Sequence, residues 1–524
     1  MRPDLLVVTA ALFLSALSPP AGLSPAGPSP AGASFPVSSS AGTPSVTKVS
    51  LTSSSRTSPA TPSPATPSPA APSSGGPPLV VPADLKAVPV SFGGSEGLPL
   101  HGTVLSPVAG KAARPGIVLV HGSGGGTPRT KQLTEAVEFA RQGLSVLIYD
   151  KRSKDYSLFE RSYARLAGDA LGAVAALRSQ PGVDPAKVGL WGFSEGGWVA
   201  PLAASRSRDV AFVVLVGANS GPPLRQQTWA VAAGLRKAGV SGSLVDRAEP
   251  HLYRMIADGD LFPEPYYDPR PVIAALRRPV LGIWGVHDLL TPPVESPRGF
   301  AEALEKAGNR HYTFRFFADA DHAVHRTPDG GVTRLPELAP GYAALVGSWV
   351  HGVTAGEPAG TRWSGPDPVQ DAPTVPMDPP SGWESSNVQL AALTLLVVAF
   401  AAYPVVALVR RLRGRSRTPV TRAARLLSAG GLTAVLGSFC YVAYLLMTGG
   451  KLATPGPVLA GRPLVWLALQ ALAVASVVAA VLTALAWRRT AASVPAGERV
   501  RLGLLLCGGL VFVPWSLYWG LLLP

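Results

Sequence analysis

Four apolar runs, residues 388–409, 426–447, 464–487 and 502–523, dominate the end of this 524-residue chain. Each has about 20 residues or more, and at about 1.5 Å of rise per residue a helix of that length crosses the hydrocarbon core of a bilayer. Inside lipid a backbone must satisfy its own hydrogen bonds, so residues 388–524 are expected as an all-α region of four transmembrane helices. Apart from arginines at their ends the runs hold no Asp, Glu, Lys or Arg, and hence no evident ion path or proton relay.

The formal net charge of +14 would suit a nucleic-acid binder if it were spread over a folded surface, so its location decides its meaning. Arg410, Arg411, Arg413, Arg415, Arg417, Arg422 and Arg425 occupy one loop between apolar runs, and Arg488, Arg489, Arg499 and Arg501 occupy another with only Glu498 against them. Together these loops carry ten of the fourteen net charges, so the basicity reads as membrane topology and no nucleic-acid partner is expected. With the first helix entering from outside, both arginine loops are cytoplasmic, and everything before residue 388 is extracytoplasmic.

The opposite end of the chain agrees with that orientation. Residues 5–17 are apolar and are followed by small residues, which predicts a secretory signal over residues 1–22; no cysteine follows, so a lipoprotein is excluded. Residues 23–78, with repeats such as "TSPATPSPATPSPAAPS", have too little apolar surface to offset the entropy of ordering and are expected as a disordered linker. The two cysteines, Cys440 and Cys507, lie in the apolar runs, so the globular part can hold no disulfide, cysteine nucleophile or Cys-ligated zinc.

Between these regions, residues 79–352 alternate strand-like and helix-like stretches, the pattern of an α/β domain with a mostly parallel sheet. Eight strands are expected, at residues 87–92, 98–105, 116–120, 144–149, 188–191, 211–216, 280–284 and 312–317. "GIVLV", "LSVLIY", "VGLWG", "AFVVLV" and "VLGIWG" are nearly continuous apolar runs, as strands covered on both faces require. Helices are expected at residues 131–142, 163–178 and 338–351, a cap insertion at about 220–276, and a linker at 353–387.

In an open α/β sheet, reactive groups collect beyond the carboxyl ends of the strands. Gly192-Phe193-Ser194-Glu195-Gly196 is a G-x-S-x-G pattern between a strand and a helix, where a sharp turn lifts a serine hydroxyl clear of the sheet. Such a hydroxyl needs a base, usually a histidine held by an acid. His322, in "FADADHAVHR", follows the last strand, and Asp288, in "IWGVHDLLTPP", follows the strand before it. His325 competes as base, Asp319 and Asp321 compete as acid, and His287 sits beside Asp288. A metal site built from His322, Asp319, Asp321 and His325 matches no common ligand spacing, so none is expected. "HGSGGG", residues 121–126, ends the third strand; the backbone amides of Ser123 and Glu195 are candidate donors to an oxyanion. His121 reads as a structural residue that orients this loop.

The segments "VLVHGSGGG", "YDKRS", "VGLWGFSEGGWVAP", "GVHDLLTPP" and "DADHAV" appear in the order found in α/β-hydrolases. Residues 85–351 resemble that superfamily, in the branch of dienelactone-hydrolase-like and prolyl-oligopeptidase-like esterases and peptidases. The resemblance implies an eight-stranded sheet with a helical cap, the order Ser194, Asp288, His322 for the triad, and no cofactor. Ser153 departs from it, standing where a glycine is common. The resulting expectation is an extracytoplasmic, membrane-embedded serine hydrolase with an acyl ester as substrate. A peptidase, an acyltransferase and a non-catalytic hydrolase-fold binding module on a membrane scaffold remain as alternatives.

Overall fold

The computed structural model describes residues 79–110, 112–414, 422–490 and 496–524. The expected signal peptide and linker, residues 1–78, lie outside them, as do residues 415–421 and 491–495 of the arginine-bearing loops. Nine strands form one sheet: β1 (Leu85–Gly93), β2 (Pro99–Pro107), β3 (Arg114–Val120), β4 (Ser145–Tyr149), β5 (Val183–Phe193), β6 (Val213–Val216), β7 (Val280–Gly285), β8 (Tyr312–Phe317) and β9 (Arg362–Ser364). Their order is β1-β2-β4-β3-β5-β6-β7-β8-β9, antiparallel from β1 through β4 and parallel from there to β9. The eight expected strands are present, and the ninth comes from the stretch read as a linker. The three residues Arg362–Ser364 are too few for a periodic signal, and only pairing with Thr313–Arg315 makes them a strand.

The helices are α1 (Leu133–Arg141), α2 (Tyr163–Arg178), α3 (Gly196–Arg206), α4 (Pro223–Lys237), α5 (Glu249–Asp258), α6 (Arg270–Ala274), α7 (Glu295–Lys306), α8 (Tyr342–Thr354), α9 (Ser386–Leu412), α10 (Arg422–Met447), α11 (Leu464–Thr490) and α12 (Ala496–Tyr518). Side chains alternate across the strands, so one apolar run feeds two cores. Val118, Leu190, Val213 and Leu215 face a core closed by Ala170 and Val174 of α2, Val199 and Ala203 of α3, and Phe300 of α7. Their neighbours Ile117, Leu119, Trp191, Val214 and Val216 face the other, closed by Phe139 of α1 and Tyr342 and Val346 of α8. Trp191 is fully buried there, and its indole N–H donates to Tyr342 OH at 2.9 Å, so its polar atom is not left unpaired.

A third core joins the cap to the membrane helices. Leu224, Val231 and Leu235 of α4 and Leu252 and Tyr253 of α5 share one cluster with Phe400, Leu445, Trp466, Phe512 and Trp519. At its polar edge Ser243 Oγ donates to Leu523 O (3.2 Å) and Gln470 Nε2 donates to the same carbonyl (2.7 Å). The His251 ring stacks on Tyr518 at 3.8 Å, and the Ser386 amide, at the start of α9, donates to Asp258 at 2.7 Å. Helices α9 to α12 are long and apolar enough to cross a membrane, so the chain has the composition of a multi-pass membrane protein. Helix α12 starts six residues before its apolar run because buried Glu498 finds Arg501 (3.2 Å) and Arg410 (3.1 Å).

Candidate active site

Strand β5 ends at Phe193 and α3 begins at Gly196, so Ser194 and Glu195 carry the whole reversal. Ser194 has φ of 54°, in the left-handed region, which costs a non-glycine residue about 1 kcal/mol or more. The turn is pinned by the Ser194 amide, which donates to Val216 O (2.9 Å), and by the Gly197 amide, which donates to Ser194 O (2.8 Å). The Glu195 amide is not among these donors. A β-carbon on Gly192 would collide with Gly196 O, which is why the strand and helix need glycine there.

Asp288 and His322 meet at the ends of β7 and β8. His322 Nδ1 lies 2.9 and 3.0 Å from the two Asp288 oxygens, and both residues are buried. Asp288 Oδ1 also accepts from the amides of Leu290 and Thr291, each at 2.8 Å, so the carboxylate is fixed before it meets the imidazole. An acceptor at Nδ1 leaves Nε2 free for a proton, and Nε2 is buried with no hydrogen-bond partner among the described residues. Phe193, the residue before Ser194, packs on the His322 ring at 5.0 Å. Ser194 is only partly buried, and no hydrogen bond joins it to His322 Nε2.

The loop at residues 121–126 also comes close to Ser194. A β-carbon on Gly122 would stand 3.4 Å from that of Ser194, and Ser123 is exposed. Lys151 Nζ holds this loop by donating to Gly122 O (2.6 Å), and the Gly124 amide donates to Tyr156 OH (3.0 Å). His121 Nε2 donates to Tyr149 O at 2.6 Å; burial pulls its imidazole down to about 4, so it is a neutral, structural donor.

Sequence reasoning used only the amide of Glu195 and missed its carboxylate. That carboxylate is buried and accepts from Lys151 Nζ (2.7 Å), Arg161 (2.6 Å) and Tyr156 OH (2.8 Å). Burial alone would raise its pKa, but Lys151 and Arg161 outweigh that and hold it below the usual carboxylate range. Burial also lowers Lys151, although Glu195 opposes the shift. The signal in the sequence was "DKR" directly after a buried strand, where charges need partners. Arg152 pairs with Asp169 at 2.7 Å, and Arg129 with Asp150 at 2.7 Å. The left-handed residue of the loop after "YDKR" is Asp155, with φ of 54°, so Ser153 stands at a position that needs no glycine.

The competing residues have other partners. Asp321 accepts from the amides of Ala323 and His325 and from Arg334, and so caps a turn. His325 faces Glu135 at 3.3 Å and Leu335 O at 2.9 Å, while Asp319 is exposed. Among the described residues no group of three His, Cys, Asp or Glu side chains is placed to hold a metal ion.

Comparison with known proteins finds similarity over the same region. A sequence model of the prolyl oligopeptidase family matches residues 161–335. A thiohydrolase of Aspergillus aculeatus is 33% identical over 134 residues, 24% of this chain and 40% of that protein. A polyketide transferase of Penicillium crustosum is 40% identical over 86 residues, 16% of this chain and 28% of that protein. The chain thus spans less than half the length of these curated relatives. Among solved structures, a dienelactone hydrolase of Anabaena variabilis is 19% identical and aligns over 52% of this chain and 99% of its own, with a TM-score of 0.32. The part of the chain that carries Ser194, Asp288 and His322 thus matches the prolyl oligopeptidase family over residues 161–335 and has an α/β-hydrolase fold, joined to four helices of membrane-spanning length.

Proposed function

We propose that this chain is a membrane-held serine hydrolase that cleaves an acyl ester on the extracytoplasmic side. Ser194 Oγ attacks the acyl carbonyl while His322 Nε2 takes its proton, and Asp288 orients the imidazole and stabilises its charged form. The carbonyl oxygen, now negative, lies against the amides of Ser123 and Glu195. His322 then returns the proton to the leaving oxygen, and water repeats the sequence on the acyl-enzyme to release the acid. The observation that carries this reading is the His322–Asp288 pair, with Nε2 unengaged, next to the residue that precedes a left-handed serine.

A peptide bond is the second reading, favoured by the family matched over residues 161–335. The thiohydrolase relative brings thioesters into the same acyl class. The test is labelling of intact cells by a membrane-impermeant fluorophosphonate, with the full chain and its Ser194→Ala variant. Labelling of the unaltered chain alone supports the nucleophile and the side of the membrane together. Labelling only after lysis would overturn the orientation, and a folded protein that never labels would overturn the chemistry.

A further inference from the structure

The turn that carries the proposed base is held in an unusual shape. Val324, two residues after His322, is fully buried in the core closed by α1 and α8, and its φ of 61° lies in the left-handed region. A β-branched residue avoids that region, and such a backbone persists only where its surroundings hold it there. Backbone bonds close the turn: the Asp321 amide donates to His325 O at 2.9 Å, the Val324 amide to Asp321 O at 3.0 Å, and the Ala339 amide to Val324 O at 2.9 Å. All of these stay within the segment between β8 and α8.

His325 reaches out of that segment. Its ring is buried, with Nδ1 2.9 Å from Leu335 O and Nε2 3.3 Å from Glu135 Oε1. Glu135 lies in the first turn of α1, the α-helix that follows the loop bearing Ser123, so the pair ties the turn of His322 to the opposite wall of the site. Both ring nitrogens face acceptors. A neutral imidazole has one N–H, and the Leu335 carbonyl takes it at Nδ1, so the contact with Glu135 needs a second proton between Nε2 and Oε1. The surrounding charges agree. Burial by itself lowers an imidazole, but Glu135 and the Leu335 carbonyl outweigh it and raise His325 above its usual value, against the opposing charge of Arg334. Arg334 is itself engaged by Asp321, whose carboxylate also accepts from the His325 amide. Tyr342 of α8, near Glu135, stays neutral because burial raises its hydroxyl.

Building on the hydrolase reading, we propose that His325 and Glu135 are positioning residues, whose proton-bridged contact holds the turn that places His322 and so acts through His322 and not on the substrate. The consequence is an activity that falls in alkali. The second proton is present below the raised folded value of His325. As pH rises through that value it leaves, the contact opens and the left-handed turn loses its hold on α1.

The experiment measures the rate of fluorophosphonate labelling of the full chain in detergent from about pH 6.5 to about pH 9.5. The unaltered chain should label about 10-fold more slowly at the alkaline end, and His325→Ala should be slow by about that factor at every pH. Glu135→Gln is the decisive variant. Its amide can donate to the neutral Nε2, so the contact no longer needs the second proton and the alkaline fall should disappear. Lys151 also loses charge in alkali, but Glu135→Gln leaves it untouched, so a fall that persists in this variant belongs to another group and overturns the proposal. Labelling of the unaltered chain that does not fall, or His325→Ala labelling as fast as the unaltered chain, would overturn it as well. If His325→Ala fails to fold, the glutamine variant decides alone. Thermal melts of the same samples separate the two claims, because the clamp predicts that the unaltered chain loses stability over this window and Glu135→Gln does not. That pattern without labelling at any pH upholds the clamp and sinks the hydrolase reading, whereas labelling with identical pH slopes in the melts sinks the clamp alone.

Discussion

Replacing Lys151 with methionine tests whether Glu195 is a structural anchor of the nucleophile turn. The ammonium is 3% exposed and the carboxylate 1%, and the same Nζ holds Gly122 O. Breaking a buried pair by removing one member costs about 3–5 kcal/mol, because the charge left behind is uncompensated. Here Arg161 and Tyr156 still face Glu195, so the lower end, about 3 kcal/mol, is expected for Lys151→Met. Glu195→Gln added to Lys151→Met removes the stranded charge and should recover part of that loss, a coupling that a double-mutant cycle isolates. The loss should also shrink in acid, since a carboxyl deprived of its main cation can take a proton in place of staying charged. Denaturant unfolding of the full chain in detergent at pH 7.5 and pH 5 reads all three effects. A single variant within about 1 kcal/mol of the unaltered protein, with no coupling, would refute the argument, since that is the worth of an exposed pair.

Two further outcomes follow from the geometry. Gly217→Ala places a methyl group 2.8 Å from the His322 ring and 2.6 Å from its carbonyl, at a φ of 54°; fluorophosphonate labelling should fall about 100-fold, and unchanged labelling would mean that His322 is not the base. His251, stacked on Tyr518, is pulled by burial to about 4 from its usual 6.5, so stability is complete above about pH 6.5 and is lost as pH falls toward the folded value. For this partly exposed ring the loss at pH 5 should be about 1–2 kcal/mol, and His251→Phe should abolish that dependence in thermal melts; an unchanged pH slope would refute the assignment.

The parts of the fold that were legible in the sequence share a cause. Strands such as β5 and β6 are covered on both faces, so nearly every residue is apolar and the run announces itself. The junction at Ser194 was legible because a strand, a serine between glycines and a helix leave few other conformations. The Glu195 carboxylate was not, because its partners Lys151 and Arg161 stand 44 and 34 residues earlier, and a lone glutamate reads as solvated until the sheet brings those segments together. The ninth strand escaped for a similar reason: Arg362–Ser364 has no pattern of its own, and only the edge of β8 orders it.

The joint between cap and membrane helices was illegible in a different sense, and it changes what the cap can do. The spacing of Leu224, Val231 and Leu235 shows that α4 has an apolar face but does not say what covers it. In the structure that face, with Leu252 of α5, belongs to the core that includes Trp466 of α11, Phe512 of α12 and Trp519 just after it. Burying one such side chain is worth about 1.5–3 kcal/mol, so the four cap residues together represent roughly 6–12 kcal/mol. Even if half of that is internal to the cap, parting the joint would use up a large share of the roughly 5–15 kcal/mol that keeps a domain folded. A cap free to swing away from the sheet would therefore have to carry the ends of the membrane helices with it. The hydrolase domain and the membrane region are better understood as one cooperative unit, in which access to Ser194 has to be found without separating α4 and α5 from α9 to α12.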